Sequence, residues 1–582
     1  MTDVLRVGNC SGFYGDRLSA MREMLEGGRL DVLTGDYLAE LTMLILGKDR
    51  MRDASLGYAR TFLRQAEDCI GLAVDRGVRI VTSAGGLNPA GLAEHLRELV
   101  DRLGVSAQVA HVCGDDLLDR SDELGLGKPL TANAYLGAFG IAAALDAGAD
   151  VVVTGRVTDA SLVVGPAIAR FGWGREDHDE LAGAVVAGHV IECGAQATGG
   201  NFSGFRSIRP DATPLGFPLA EVAADGSSVI TKHPGTGGAV TFDTVTAQLV
   251  YEVASPLYLG PDVSARLDTV ELSEAGEDRV AVTGVRGEAP PAALKVCVNE
   301  LGGFRNSVEL VLTGLEIEAK ADWVRAQIDS SLSARRPATV EWALARTDSS
   351  DATTQEAASA RLRCTVRDPD PNVVGKPFTS AVVELALASY PGFTLTAPPA
   401  APTPYGVYRP AYVDQGKVEH RVVHADGTTT DIAAPERLAA PSDSTGAEHA
   451  EVPGENADDV GGVSSVPAEV VTRRLPLGTF VHARSGDKGG DANIGLWVDR
   501  SRPDRAAWLG KFVTADRVRE LLPEAAELDV EVFPLPNLSA VNVVIRGLLG
   551  EGVSASTRFD PQAKGLGEWL RSRHVSISED LL

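Results

Sequence analysis

His189 and Glu192 stand three residues apart in "GHVIECGAQATGGNFSGF" (188–205), beside Cys193 and ahead of Gly199, Gly200 and Asn201. On a helix, positions i and i+3 share a face. A carboxylate there can orient the imidazole and tune it as a general base. The same two side chains could be metal ligands, although two do not make a site. The alternative is a helix end packed on a sheet, because His is often partly buried. Cys193 reads as a small core residue. Gly199, Gly200 and Asn201 form a loop where backbone can approach a ligand. A second glycine cluster, "KHPGTGGAV" (232–240), adds Lys232 and Thr236 as candidate substrate contacts.

Asp36 and Glu40 in "TGDYLAELTM" lie at i and i+4, so they are expected on one helix face. Two such carboxylates suit acid–base work or a divalent cation. In "TGRVTDAS", Arg156 can clamp a carboxylate or phosphate. Asp159 is either a further catalytic carboxylate or, more simply, the N-cap of the next helix. Gly8, Gly12 and Gly15 follow G-x-x-x-G-x-x-G, neither a dinucleotide fingerprint nor a Walker A loop. Backbone N–H groups around Gly12 can still cradle an anion ahead of a helix. Asn88 before Pro89 suits an N-cap and is also carried as a candidate substrate contact. Near the C-terminus, "HARSGDKGGDANIG" (482–495) offers Arg484, Lys488 and Asn493 in a salt-linked or anion-contacting loop after a strand at 480–483. No G-x-S-x-G elbow, H-E-x-x-H, zinc ribbon or protein-kinase set occurs.

Elements must hold these groups together. The first 210 residues or so alternate strand, loop and helix, as in "VRIVTSAGGLNPAGLAEHLRELV". Ligands bind beyond the carboxyl ends of parallel strands. Asp36, Arg156, His189 and Asn201 are therefore expected in one cleft. The expected fold is α/β: a mainly parallel Rossmann-like sheet with helices on both faces, an α+β second lobe, and a small C-terminal ferredoxin-like α+β domain. The expected domains are 1–225, 226–439 and 471–582. Between the last two lies an acidic flexible linker, 440–470, which has few apolar residues to offset ordering entropy. Limited proteolysis is expected to cut there first and leave both flanks folded. Full protection of that segment would contradict the linker reading.

The 582 residues exceed one ordinary core. Asp and Glu number 80 against 54 Lys and Arg, for a net charge of −26. That field argues against nucleic acid and anionic membranes as partners, while a local basic pocket can still hold an anionic small molecule. Six scattered cysteines with no C-x-x-C, no secretory leader and no apolar span of about 20 residues predict a cytoplasmic protein. A homo-oligomer is expected.

"GDYLAELTM", "TGRVTDASLVVGP", "GHVIECGAQATGGNF", "GTGGAVTFDTVTAQLVYEV" and "YLGPDV" together resemble the acyclic terpene utilisation AtuA family over roughly residues 5–430. "FVHARSGDKGGDANIGL" resembles the AtuA-like ferredoxin-fold domain that often follows it. One departure is local: the family often carries an acid and an aromatic near 203–205, where this chain has "SGF". The resemblance implies catabolism of branched, citronellol-like chains beside acyl-CoA dehydrogenases, carboxylases and hydratases. It carries over no catalytic residue. With acid–base groups and an Arg clamp but no nucleotide fingerprint, the expected activity is hydratase or lyase chemistry on a carboxylate or acyl-CoA. CoA would be part of the substrate, and a divalent metal remains an open cofactor. The alternatives are a non-catalytic binding or scaffold subunit of an acyl-CoA carboxylase-type complex, or a metal-dependent phosphoryl or nucleotide enzyme.

Overall fold

The computed structural model describes residues 4–208, 213–439 and 471–582. The 440–470 linker expected above lies outside the described residues. The chain forms two compact units. Met1–Val298, Arg409–Val553 and Asp560–Leu582 make the first; Asn299–Tyr408 and Ser554–Phe559 make the second.

In the first unit, strands β1 (Val4–Asn9), β2 (Val32–Gly35), β3 (Arg79–Thr82), β4 (Val109–Cys113), β5 (Thr131–Ala134) and β6 (Val151–Thr154) alternate with helices. The helices are α1 (Ala20–Gly27), α2 (Glu40–Arg52), α3 (Arg60–Asp75), α4 (Pro89–Leu103), α5 (Phe139–Asp146), α6 (Ser161–Phe171) and α7 (His178–Ile191). Strands pair in parallel in the order β1-β2-β3-β6-β4. Beyond β1 the sheet continues antiparallel through β7 (Pro218–Ala223) and β8 (Ser228–Lys232), and beyond β4 through Arg421–Val423. The sheet is thus mixed, with a parallel centre and antiparallel flanks, rather than mainly parallel. The short β7–β8 connection dictates this on its side, because a parallel step needs a long crossover.

Side chains alternate between two cores, as strand geometry requires. Val151 and Val153 join Met21, Phe62 and Leu92 of α1, α3 and α4, whereas Val152 joins Ile141, Ala167 and Val186 of α5, α6 and α7. Helices therefore cover both faces. Asn88 caps α4, its Oδ1 accepting from the Gly91 N–H at 2.9 Å, with Pro89 at the first helical position.

The C-terminal segment adds a four-stranded antiparallel sheet to this unit, built from 482–488, 491–497, 540–545 and 530–535. The expected salt-linked loop is instead a β-hairpin, His482–Lys488 and Asp491–Trp497, turning at Gly489 and Gly490. Two helices, Pro503–Phe512 and Ala515–Leu521, accompany it, the second started by Thr514, whose side chain accepts from the Arg517 N–H. In the second unit, strands 359–368 and 339–345 extend the sheet of a long strand, and helix Ile317–Leu332 packs Ala321, Val324 and Ile328 on Leu310 and Leu362. Among the described residues, no helix is long and apolar enough to cross a membrane.

Candidate functional site

The carboxyl edge of the parallel strands is where polar side chains become buried. At the end of β1, Asn9 Nδ2 donates to the carbonyls of Ile191 and Glu192 at 2.7 and 2.9 Å, fixing the end of α7. Glu192 keeps helical dihedrals one residue beyond α7. That preserves the i, i+3 relation, and His189 Nδ1 meets Glu192 Oε1 at 3.0 Å. The imidazole lies on Tyr258, ring centroids 4.9 Å apart. Both His189 and Glu192 are buried.

Beyond β2, Asp36 Oδ1 accepts from Ser83 Oγ at 2.9 Å and from the Leu38 N–H at 3.2 Å. Beyond β6, Arg156 Nη1 donates to Asp159 Oδ1 at 2.8 Å and to the Leu38 carbonyl at 3.2 Å. The guanidinium sits 4.2 Å from the centre of the Tyr135 ring. Tyr135 donates its hydroxyl to Glu40 Oε1 at 3.0 Å, and Lys295 Nζ reaches the same oxygen at 3.2 Å. Asp115, after β4, accepts from the Arg156 N–H at 2.9 Å and from Asn133 Nδ2 at 2.8 Å.

Two expectations change. Asp36 and Glu40 do not share a helix face, because α2 begins only at Glu40 and Asp36 lies in the preceding loop. Both nevertheless act on Arg156. Asp159 is not an N-cap: α6 starts after Ala160 with no side-chain cap, and the Arg156 guanidinium takes the carboxylate.

Burial sets the protonation pattern. It pushes Glu192 well above the usual carboxylate range, reinforced by Asp159 and Glu252, and Asp36 likewise with help from Asp159. Burial and the nearby Lys488 charge depress His189 to about 4. Burial thus favours the neutral form of both His189 and Glu192, which makes their contact a hydrogen bond more than an ion pair. Glu40 goes the other way: Lys295 and Arg156 outweigh its burial and keep it ionised. Asp115 is raised to about 7 by burial. An acid raised this way makes stability fall as pH rises from 3.8 to about 7. The near-isosteric Asp115→Asn variant lacks that loss. Its melting temperature relative to wild type is expected to climb between pH 4 and 7 and level off above; a difference independent of pH would contradict the assignment.

Buried polar atoms here without a hydrogen-bond partner include His189 Nε2, Glu192 Oε2 and Arg156 Nε. The Gln248 backbone lies near His189 and favours its charged form, but does not meet hydrogen-bond geometry at Nε2. Native proteins rarely leave such groups unmatched. Around them stand partly exposed Asp159, Glu40, Lys295, Tyr258, Glu252 and Lys488.

The C-terminal hairpin reaches the same place. Lys488 Nζ lies 5.8 Å from the Tyr258 ring centre. Arg484 stacks 4.0 Å from the Tyr251 ring centre and donates to Gln196. Asn493 Oδ1 accepts from the Glu252 N–H at 2.8 Å.

Other sequence candidates lie elsewhere. Gly12 lets the first loop pack on α7's exit, since a Cβ there would fall 2.6 Å from the Cys193 carbonyl carbon. Its N–H goes to Asp16 Oδ2 at 2.9 Å. Asn88 is a helix cap whose Nδ2 donates to the Ser55 carbonyl. Lys232 is held by Asp278 and the Thr236 carbonyl at 3.0 and 2.9 Å, and Thr236 Oγ1 donates to the His233 carbonyl. The Gly199–Gly200 turn meets that second loop through Ala239 N–H to the Thr198 carbonyl, 2.9 Å. Asn201 is exposed and left-handed (φ 57°), unlike the buried groups of the cluster. Ser203, at the family departure, bonds His482 Nδ1 at 3.1 Å instead of facing the cluster.

Among the described residues, no three His, Cys, Asp or Glu side chains form a metal-binding group. The donor set explains this: Glu40 is tied to Tyr135 and Lys295, and Asp36 to Ser83.

Residues 5–424 match the family described as acyclic terpene utilisation family protein AtuA. The chain belongs to this family. Residues 475–576 match the AtuA ferredoxin-like domain, which places the hairpin and its four-stranded sheet in that module. No curated protein and no solved structure matches the chain. Sequence reasoning missed Tyr135, Tyr258, Lys295 and Glu252 in this AtuA protein; Glu252 and Tyr258 stand inside the quoted stretches "GTGGAVTFDTVTAQLVYEV" and "YLGPDV", whereas Tyr135 and Lys295 lie outside every quoted stretch.

Proposed function

We propose that this AtuA chain is an enzyme of branched-chain or acyclic-terpenoid carboxylate catabolism. It acts by acid–base chemistry of hydratase or lyase type on an acyl-CoA thioester, at the carboxyl edge of a Rossmann-like parallel core. The observation that carries this reading is that His189 Nε2, Glu192 Oε2 and Arg156 Nε are each buried and unpartnered, in a cluster where Arg156, Glu192 and Asp36 act on one another through charge and burial favours the neutral form of the two carboxyls. Such groups suit a substrate oxygen and a transferable proton.

In the dehydration direction, neutral His189 takes the proton from the carbon next to the thioester carbonyl. The electron pair forms the carbon–carbon double bond. The hydroxyl on the next carbon leaves as water with a proton from Glu192 or Asp36. Hydration is the reverse. Arg156 holds the carbonyl or a carboxylate oxygen.

The test is incubation of the full chain in D2O with a panel of branched acyl-, hydroxyacyl- and enoyl-CoA thioesters, reading α-deuterium by mass spectrometry. Exchange in at least one thioester, lost in His189→Gln, is the expected result. No exchange and no thermal stabilisation by any panel member would overturn this reading and favour the scaffold subunit.

A further inference from the structure

The ferredoxin-like module supplies more than a wall. The chain has ten lysines, and three of them, Lys295, Lys488 and Lys564, converge on this cluster. Lys295 pairs with Glu40, and Lys564 lies 3.7 Å from Glu252. Lys488 is half-buried near the hairpin tip and forms no ion pair within 4 Å among the described residues. Its charge nonetheless bears on His189, Glu192, Glu40 and Asp159. In a chain of net charge −26, an ammonium drawn in among carboxyls with the Tyr258 ring beside it and no ion-pair partner among the described residues is positioned for something else.

Glu252 has a matching oddity. It is a non-glycine residue in the left-handed region, φ 57°, where glycine would sit without strain. Asn493 accepts its N–H, while Asn493 and Asn542 donate to the Val253 carbonyl at 3.3 and 2.9 Å and bond one another. Both asparagines are fully buried. Gly486 and Gly495 allow the hairpin to press on this turn: a Cβ would fall 2.4 Å from the Tyr251 ring and 2.1 Å from Val250. Strained residues that the surroundings over-determine cluster at functional sites.

We propose that the C-terminal module is a working half of the site: Lys488 receives the substrate's anionic oxygen, and the Asn493–Asn542 pair positions Glu252 opposite His189. This rests on the acid–base reading above. The charged and titratable groups facing His189 are Glu192, Glu252, Asp159 and Lys488, with Tyr258 against the ring.

A titration of the full chain tests the arrangement without any substrate. With 13C-labelled histidine, the His189 signal is assigned by its loss in His189→Gln. Lys488→Met is expected to move the His189 pKa up, and Glu252→Gln and Asn493→Ala to move it down. A His189 pKa unchanged in both Lys488→Met and Glu252→Gln overturns the proposal. The deuterium-exchange assay gives the second arm. Lys488→Met is expected to slow exchange about 10²-fold, the loss typical of removing one group that stabilises an oxyanion, and Lys488→Arg to recover part of it. If wild type exchanges and both Lys488→Met and Asn493→Ala exchange as fast, the proposal falls and the acid–base reading stands. If wild type exchanges nothing and no panel member stabilises it, the acid–base reading falls and this proposal with it. Should Asn493→Ala not fold, Lys488→Met, at a half-buried position, decides.

Discussion

His189→Ala is expected to lower turnover by about 10²–10⁴ while the protein stays folded, the usual loss for a positioned general base. The imidazole meets the requirements of that role in its surroundings. Glu192 fixes Nδ1, Tyr258 fixes the ring plane, and Nε2 is left without a partner. Its pKa of about 4 keeps it in the accepting form through neutral pH. The rate should therefore fall on the acid side only as pH approaches about 4. The same shift has a stability sign. A histidine with lowered folded-state pKa leaves the native state binding fewer protons than the unfolded chain between about 4 and 6.5, so its contribution is lost as pH falls through that window. His189→Gln, which takes up no proton, should make the melting temperature less acid-sensitive there. A variant with wild-type turnover and a lowered melting temperature at every pH would make His189 a packing residue and remove the proposed base.

What the sequence made legible was local. The i, i+3 spacing of His189 and Glu192 is a helix property, and α7 carries it intact to its last turn. The Asn88–Pro89 start of α4 is likewise written in four consecutive residues. Asp159 misled because cap chemistry and ion-pair chemistry use the same carboxylate; a guanidinium three residues earlier decided between them. The rest of the cluster comes from remote segments. Tyr135 follows β5, Lys295 lies on a strand that pairs with it, and Glu252 takes its left-handed turn only because two asparagines about 240 and 290 positions away hold the neighbouring backbone. No local propensity encodes such a conformation, which for a glutamate is unfavourable until tertiary contacts impose it. The hairpin motif was opaque for a related reason: its glycines read as turn residues, whereas Gly486 and Gly495 are strand positions kept bare for a close approach.

Arg156→Met is expected to cost less than the about 3–5 kcal/mol typical of breaking a fully buried ion pair by removing one partner, because Asp159 is partly exposed, and to abolish stabilisation by any thioester that stabilises wild type. The guanidinium is 3% exposed and serves several groups at once: Asp159 by a 2.8 Å bond, the Leu38 carbonyl, the Tyr135 ring and, through its charge, Asp36 and Glu40. Methionine fills the volume but supplies no charge. Asp159 then faces Glu40, Glu192 and Asp36 without its cation and must take a proton or water. Part of the loss is self-limiting, because Asp36 and Glu192 are already inclined to the neutral form. Arg156→Lys should fall between the two: it restores the charge without the planar face on Tyr135 or the two-armed reach. A double-mutant cycle isolates the pair. If Asp159 is the principal creditor of the charge, adding Asp159→Asn to Arg156→Met should recover a substantial fraction of the lost stability, read as the midpoint of chemical denaturation, while leaving thioester stabilisation absent. Additive losses in the double variant would mean that the guanidinium is held mainly by Tyr135 and the Leu38 carbonyl. Arg156→Met with wild-type stability and an unchanged thermal response to the thioester would remove Arg156 from both the fold's electrostatics and the binding of substrate.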